Sequence, residues 1–528
     1  MYILPQQLKD WLSDHHEIAL LDIREHGQYG ENHLFYAVSA PFSVLEDRVV
    51  YLVPRVTTRI VLYGNHAEES IVRTCMERLN QLGYQNVYIL IGGVESWEAA
   101  GFNTFAGVNV PSKTFGELAE HFYHTPCISA KELYDLQHQA SANYIVLDGR
   151  PLSEYQKMNI PGSICCPNGE LALRATELAP DPQTTIIINC AGRTRSIIGA
   201  QSLINLGLPN PIFALENGTQ GWYLADFTLE HHADRVYPDI ISSKRVVELQ
   251  LKAAKLSERF ALAKVTVDEV HRWLDEDEVT VYLCDIRTAK EYHNSHWPSL
   301  IRHTPGGQLV QATDEFIGVR NARIVLIDTD NIRAIVTATW LKQLGWDVYL
   351  LPDDGDLKRL STIKREVTYQ LNHTQVYDEE QLIQLIEDNA DLIIFDARAS
   401  NEYRKVHLQN SQWIIRPLIT QLAPQNKHTK ILIIGDSKVK NLCLAQDFEQ
   451  LGFKQIYIST ITANFFHHTD LPISTDSTVL QDKDCIDFLF FVHDRHQGNK
   501  KAAQQYLAWE TNLIKQIDAQ EKATFHFE

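Results

Sequence analysis

One short stretch of this chain carries residues able to make and break covalent bonds: Cys190-Ala191-Gly192-Arg193-Thr194-Arg195-Ser196. It directly follows the β-branched run Thr-Ile-Ile-Ile-Asn that ends at Asn189, and a helical pattern begins at its far end. A loop wrapped in this way points successive backbone N–H groups at the cysteine sulfur. The start of the helix adds the positive end of its dipole, and Arg193 and Arg195 add two full charges. All three effects are expected to lower a thiol pKa from about 8.5 toward or below neutrality. The resulting thiolate is a nucleophile, and the same surroundings attract an anionic substrate.

The elements that hold this loop are repeated along the chain. An apolar run ending in Asp-x-Arg occurs at Asp22, Asp148, Asp285 and Asp396, at spacings of 126, 137 and 111 residues. Each is followed by a second β-branched run, ending 41, 41, 42 and 38 residues later at Tyr63, Asn189, Ile327 and Ile434. A helix-like stretch then closes on Gly83, Gly207, Gly345 and Gly452, where a left-handed C-cap is expected. A third apolar run comes next in each copy.

A unit of roughly 100 residues is a complete domain rather than a solenoid turn. Short apolar runs alternating with helices predict parallel strands with crossover helices. The reading is α/β, with four tandem domains at 1–105, 125–232, 264–355 and 374–470 and a tail at 471–528. In the tail a helix is expected from Asn499 to Ile517. Ser243 to Lys264 reads as a linker helix between the second and third domains.

Ligands of open α/β sheets sit beyond the carboxyl ends of the strands, so the residue after each second run is the one to compare. It is Gly64, Cys190, Asp328 and Gly435. Only the second copy offers a nucleophile there. The third keeps an arginine in register, Arg333, behind Asp328-Thr329-Asp330-Asn331-Ile332. The fourth, Gly435 to Lys440, is degenerate, and the first, Gly64 to Glu69, is acidic and runs two residues longer before its glycine.

These motifs resemble the rhodanese (sulfurtransferase) family. The second copy has the Asp148-x-Arg150 strand end, then Glu154-Tyr155, Ile160-Pro161-Gly162-Ser163, the Cys-x4-Arg loop, and Asn217-Gly218-Thr219-x-Gly221-Trp222. The first copy shares the late Gly92-Gly93, Trp97 and Gly101. Segments near Gly107–Glu117, Gly306–Asp314 and in the tail are similar to bacterial proteins with four rhodanese-like repeats.

The resemblance implies a thiosulfate sulfurtransferase-type enzyme. Cys190 would be the catalytic nucleophile, and Ala191, Gly192, Arg193, Thr194, Arg195 and Ser196 would bind the substrate. The implied reaction is ping-pong: Cys190 takes a sulfane sulfur as a persulfide and passes it to a thiol or cyanide. The loop from Cys190 to Arg195 has six residues, as in the sulfur-transferring members, where related phosphatases use seven. Phosphatase or arsenate reductase chemistry is the minor reading. The alternative of a different class is a non-catalytic scaffold or redox-sensing binding protein. No metal or organic cofactor is implied. The implied partners are a small-molecule sulfur donor and a thiol acceptor, which a protein could also supply.

Composition narrows the classes further. The net charge of −19 disfavours nucleic acid and anionic membranes as partners. No apolar run reaches membrane-spanning length and no secretory leader is legible, so a cytoplasmic protein is expected. The eight cysteines read as reduced thiols. Cys75, Cys284 and Cys443 are expected in the core. Adjacent Cys165 and Cys166 read as structural, and Cys127 and Cys485 carry no signal. The histidine pairs at 15–16, 231–232 and 467–468 lack partners at metal-ligand spacing. His493-Asp494-Arg495-His496 reads as a structurally docked segment, with lining a cleft or binding a metal as the alternative. Arg150 is expected to tie its strand to neighbouring structure.

Overall fold

The structure is a computed structural model and describes the chain apart from residues 296, 353–355, 361–366, 370 and 491–498. The segment His493 to His496 lies outside the described residues. Four five-stranded sheets share one strand order. In the second copy the order is Cys127–Ile128, Ile212–Leu215, Thr185–Asn189, Tyr144–Asp148 and Ile164–Cys165, with neighbouring strands parallel. The run that precedes Cys190 is thus the middle strand, buried on both faces and built of consecutive isoleucines, as a helix-covered parallel strand requires.

The four glycines that close the crossover helices have φ of +90°, +75°, +90° and +92°. A left-handed residue there stops each helix and turns the chain into the next strand. Each Asp-x-Arg is a closed local ion pair. Arg150 donates through Nε and Nη2 to Asp148 at 2.8 and 2.7 Å and through Nη2 to the Met158 carbonyl. Arg24, Arg287 and Arg398 pair in the same way with Asp22, Asp285 and Asp396. Arg150 therefore ties its strand to the following segment, as expected.

The chain divides into two compact units. One comprises Met1–Leu8, Leu20–Ala106 and Arg365–Phe490, and so holds the first and fourth sheets. In its interior Arg416 donates to both oxygens of Glu46 at 2.6 and 2.7 Å and pairs with Asp447. The other comprises Lys9–Ala19, Gly107–Lys364 and Phe491–Glu528, and holds the second and third sheets with the tail helix. Here Trp340 Nε1 donates to Ser202 Oγ at 2.7 Å, and the backbones at Gly169 and Gly307 approach so closely that a Cβ on either would meet the other. The linker helix runs Ser243–Arg259 and the tail helix Lys500–Gln516. Among the described residues, no helix is long and apolar enough to cross a membrane.

Candidate active site

Cys190 leaves the end of the middle strand and is 2% exposed. The helix Thr194–Asn205 begins four residues later, so the loop between them is tight. A second turn supports it from outside. Asn217 and Gly218 both have positive φ, 59° and 53°, and start the helix Gly218–Leu224. That start feeds two N–H groups into the loop: Thr219 to the Cys190 carbonyl at 2.8 Å and Gln220 to the Ala191 carbonyl at 3.1 Å. A Cβ on Gly218 would lie 2.2 Å from the Cys190 carbonyl oxygen, so only glycine fits there.

The thiol of Cys190 lies 3.6 Å from Ser196 Oγ. The Ser196 hydroxyl donates its own proton to the Arg193 carbonyl at 2.8 Å, leaving a lone pair for the S–H. The expected fall in thiol pKa is not what the site produces. Burial pushes the Cys190 thiol up and outweighs the opposing pull of Arg195 and Ser196, while Glu510 pushes in the same direction as burial.

The fate of the two arginines explains this. Arg195 forms a two-pronged pair with Glu154, 2.8 Å on each arm. Arg193 donates to Glu117 through Nε at 2.7 Å, pairs with Glu120 through Nη2, and reaches Asn217 through Nη1. Both guanidiniums are largely neutralised before a substrate arrives. Burial raises Glu117 to about 7 against the pull of Arg193.

Thr194 faces the tail. Its Oγ1 donates to Glu510 Oε1 at 3.0 Å. Gly192 is needed for space rather than for a left-handed backbone: its φ is not positive, and a Cβ there would lie 2.9 Å from Glu510 Oε2. Ala191 is buried beside the sulfur. The loop residues singled out in the sequence therefore do come together. The carboxylates that balance them, Glu117, Glu120 and Glu510, are on the helices Val110–Tyr123 and Lys500–Gln516; Glu117 and Glu510 fall in the family-like segments noted above, but nothing there marks them as partners of the arginines. Glu154 stands in the Glu154-Tyr155 motif.

All eight cysteines are free, and Cys127 alone is exposed. Cys75, Cys284 and Cys443 lie in the core, as expected. Burial raises the Cys165 thiol to about 12 and holds the Cys166 thiol well above its ordinary value, which keeps both in the thiol form. Among the described residues there is no cluster of three or more His, Cys, Asp or Glu arranged to hold a metal.

The rhodanese-like domain model matches four stretches, residues 4–100, 129–225, 266–354 and 378–460. The chain belongs to the rhodanese-like family. A crystal structure of a thiosulfate sulfurtransferase from Pseudomonas aeruginosa is similar over 100% of this chain and 99% of its own, at 35% identity and a TM-score of 0.90. A rhodanese-related protein from Thermoplasma volcanium is 28% identical over 20% of this chain and 97% of its own, with a TM-score of 0.18. The Alr3790 protein from Anabaena sp. is 25% identical over 20% of this chain and 93% of its own, with a TM-score of 0.19. No curated protein matches the chain. Within this rhodanese-like chain, the second copy alone has a cysteine at the end of the middle strand.

Proposed function

We propose that this protein is a sulfurtransferase in which Cys190 carries sulfane sulfur as a persulfide. The observation that carries this reading is the loop itself: a buried cysteine at the end of the middle strand, wrapped onto the start of the helix Thr194–Asn205. The full-length similarity to a thiosulfate sulfurtransferase supports it. In the first step the Cys190 thiolate attacks the sulfane sulfur of an anionic donor such as thiosulfate. The Cys190 S–S bond forms, the donor's S–S bond breaks, and sulfite leaves with the electron pair. In the second step a thiol or cyanide takes the outer sulfur and the thiolate is regenerated.

The chain's own groups assist. The Ser196 N–H favours the anionic sulfur, and the hydroxyl does so once it turns from the Arg193 carbonyl to donate to Sγ. Arg195 supplies positive potential, moderated by Glu154. The proposed domains follow the four repeats, 1–105, 125–232, 264–355 and 374–470, with the second active.

Intact mass spectrometry after incubation with thiosulfate tests the assignment. Wild type should gain the mass of one sulfur atom, located on the peptide containing Cys190, and Cys190→Ser should gain none. A serine hydroxyl has no base beside it to make it nucleophilic. Turnover by Cys190→Ser near the wild-type rate would overturn the assignment.

A further inference from the structure

Three buried atoms beside the thiol loop have no hydrogen-bond partner among the described residues: Glu510 Oε2, Gln220 Nε2 and Gln220 Oε1. Glu510 is 2% exposed and Gln220 4%. Two of them, Glu510 Oε2 and Gln220 Nε2, flank one spot. From the point where a Cβ would stand on Gly192, Glu510 Oε2 is 2.9 Å away and Gln220 Nε2 is 3.6 Å away. The other Glu510 oxygen is anchored by Thr194, so the carboxylate is held across the loop. An unsatisfied buried carboxylate oxygen costs several times what a typical hydrogen bond contributes. Its persistence next to an equally unsatisfied amide marks a place built for a donor-rich group.

The charge balance gives the sign of that group. Glu117, Glu120 and Glu154 already occupy the donors of Arg193 and Arg195. Glu510 is a fourth carboxylate against two guanidiniums and the Lys113 ammonium, which lies over the Tyr506 and Trp509 rings, and it acts on Cys190 directly, opposing negative charge on sulfur. A second anion is unwelcome at this spot and a cation fits it. An ammonium has three N–H donors and no acceptor. It can donate to Glu510 Oε2 and, with the Gln220 amide turned so that Oε1 takes the place of Nε2, to Gln220 as well.

We infer, building on the sulfur-transfer reading above, that Glu510 and Gln220 recognise the ammonium group of an amine-bearing thiol, which is the sulfur acceptor. The acceptor thiol first gives its proton to solvent. Its thiolate sulfur then bonds to the outer sulfur of the Cys190 persulfide. The bond from Cys190 Sγ to that sulfur breaks, and its electron pair stays on Sγ as the thiolate. The acceptor leaves as a persulfide, with no external oxidant or reductant. The same ammonium lowers the thiol pKa of its own molecule and offsets the Glu510 charge as negative charge returns to Cys190.

The test uses full-length protein loaded with sulfur from thiosulfate and two acceptors of similar length and opposite charge, cysteamine and mercaptopropionate. After correction for thiolate fraction, cysteamine should unload the wild type about tenfold faster than mercaptopropionate. In Glu510→Gln, which keeps the shape and can still accept from Thr194, the ratio should fall to about one. Gln220→Leu should lower the ratio as well, and it provides the comparison if Glu510→Gln does not fold. Equal rates in the wild type, or a ratio retained in Glu510→Gln, would overturn the inference. A second readout needs no sulfur transfer. Propylamine should slow alkylation of Cys190 by iodoacetamide in the wild type but not in Glu510→Gln, and propionate should slow it in neither. Failure to load any persulfide would sink the sulfur-transfer reading, while the alkylation result would still decide whether the ammonium site exists.

Discussion

The Asp328 carboxylate accepts hydrogen bonds from the backbone N–H of Arg333 at 3.0 Å and from its Nε at 3.1 Å. The Ala334 N–H adds a third bond at 3.2 Å. Asp328 stands where Cys190 stands in the second copy, and Arg333 and Ala334 match Arg195 and Ser196. The third copy thus fills its anion cradle with its own side chain. Arg333 also pairs with Glu291 through both Nη atoms, and with Glu170 of the second copy. The match extends to the counter-charge, since Glu291 follows Asp285 by six residues, as Glu154 follows Asp148.

Restoring a thiol in the third copy should therefore fail. In the double variant Cys190→Ser, Asp328→Cys, the new cysteine should gain no sulfur from thiosulfate by mass spectrometry. Removing Asp328 takes one partner from a buried cluster, so stability should fall by about 3–5 kcal/mol in denaturant unfolding. A persulfide forming there at the native rate would show that nucleophile identity alone silences the copy.

Arg195 and Glu154 should have opposite effects on the thiol. Glu154→Gln releases Arg195 to act on Cys190, and loading by thiosulfate at neutral pH should rise several-fold, toward the roughly tenfold that one pKa unit represents. Arg195→Ala should slow loading by a similar factor. Stopped-flow loading rates decide this. If both variants slow loading alike, the pair serves as a brace and its charge is incidental.

Loading should become faster with rising pH. The thiol is held above its ordinary value by burial, so the reactive thiolate is the minor form at neutrality and its fraction grows about tenfold per pH unit until the pKa is reached. Alkylation by neutral iodoacetamide should show that rise without a plateau below about pH 8.5. Glu117, held at about 7, loses its proton within the same interval and adds a negative charge. The thiosulfate rate should therefore climb less steeply than the alkylation rate. A plateau in alkylation below neutrality would mean that the thiol is already ionised.

Gly218→Ala should disable the site from behind. At φ of 53° an alanine is strained, and its Cβ would strike the Cys190 carbonyl. A cost above about 1 kcal/mol is expected, with loss of most sulfur loading. Thermal unfolding and mass spectrometry would show the two effects together. An alanine variant with wild-type loading would mean that the loop does not depend on this support.

The sequence made the sheets legible because parallel strands buried on both faces read as plain β-branched runs, and because four copies at near-constant spacing exclude chance. It also made the Cys190 loop legible, since one strand end alone carried a nucleophile. The electrostatics were not legible. Arg193 looked like a free charge because Glu117 and Glu120 stand on a helix some seventy residues earlier, and Arg195 did because the Glu154-Tyr155 motif does not say what its carboxylate faces. Nor does the sequence tell why position 192 is glycine: its neighbour across space, Glu510, is what excludes a Cβ. Pattern along a chain reports faces and turns, but not which distant side chain is placed against them.

The make-up of the second unit has a consequence for biosynthesis. Its thiol loop is encoded at residues 190–196, but Glu510, which braces Thr194, lies beyond the strand Ile456–Thr460 of the fourth sheet. During translation Cys190 is therefore made long before the helix Lys500–Gln516. A ribosome-bound chain holding the second and third sheets has the loop without Glu510 against Thr194, and only continued elongation supplies that brace.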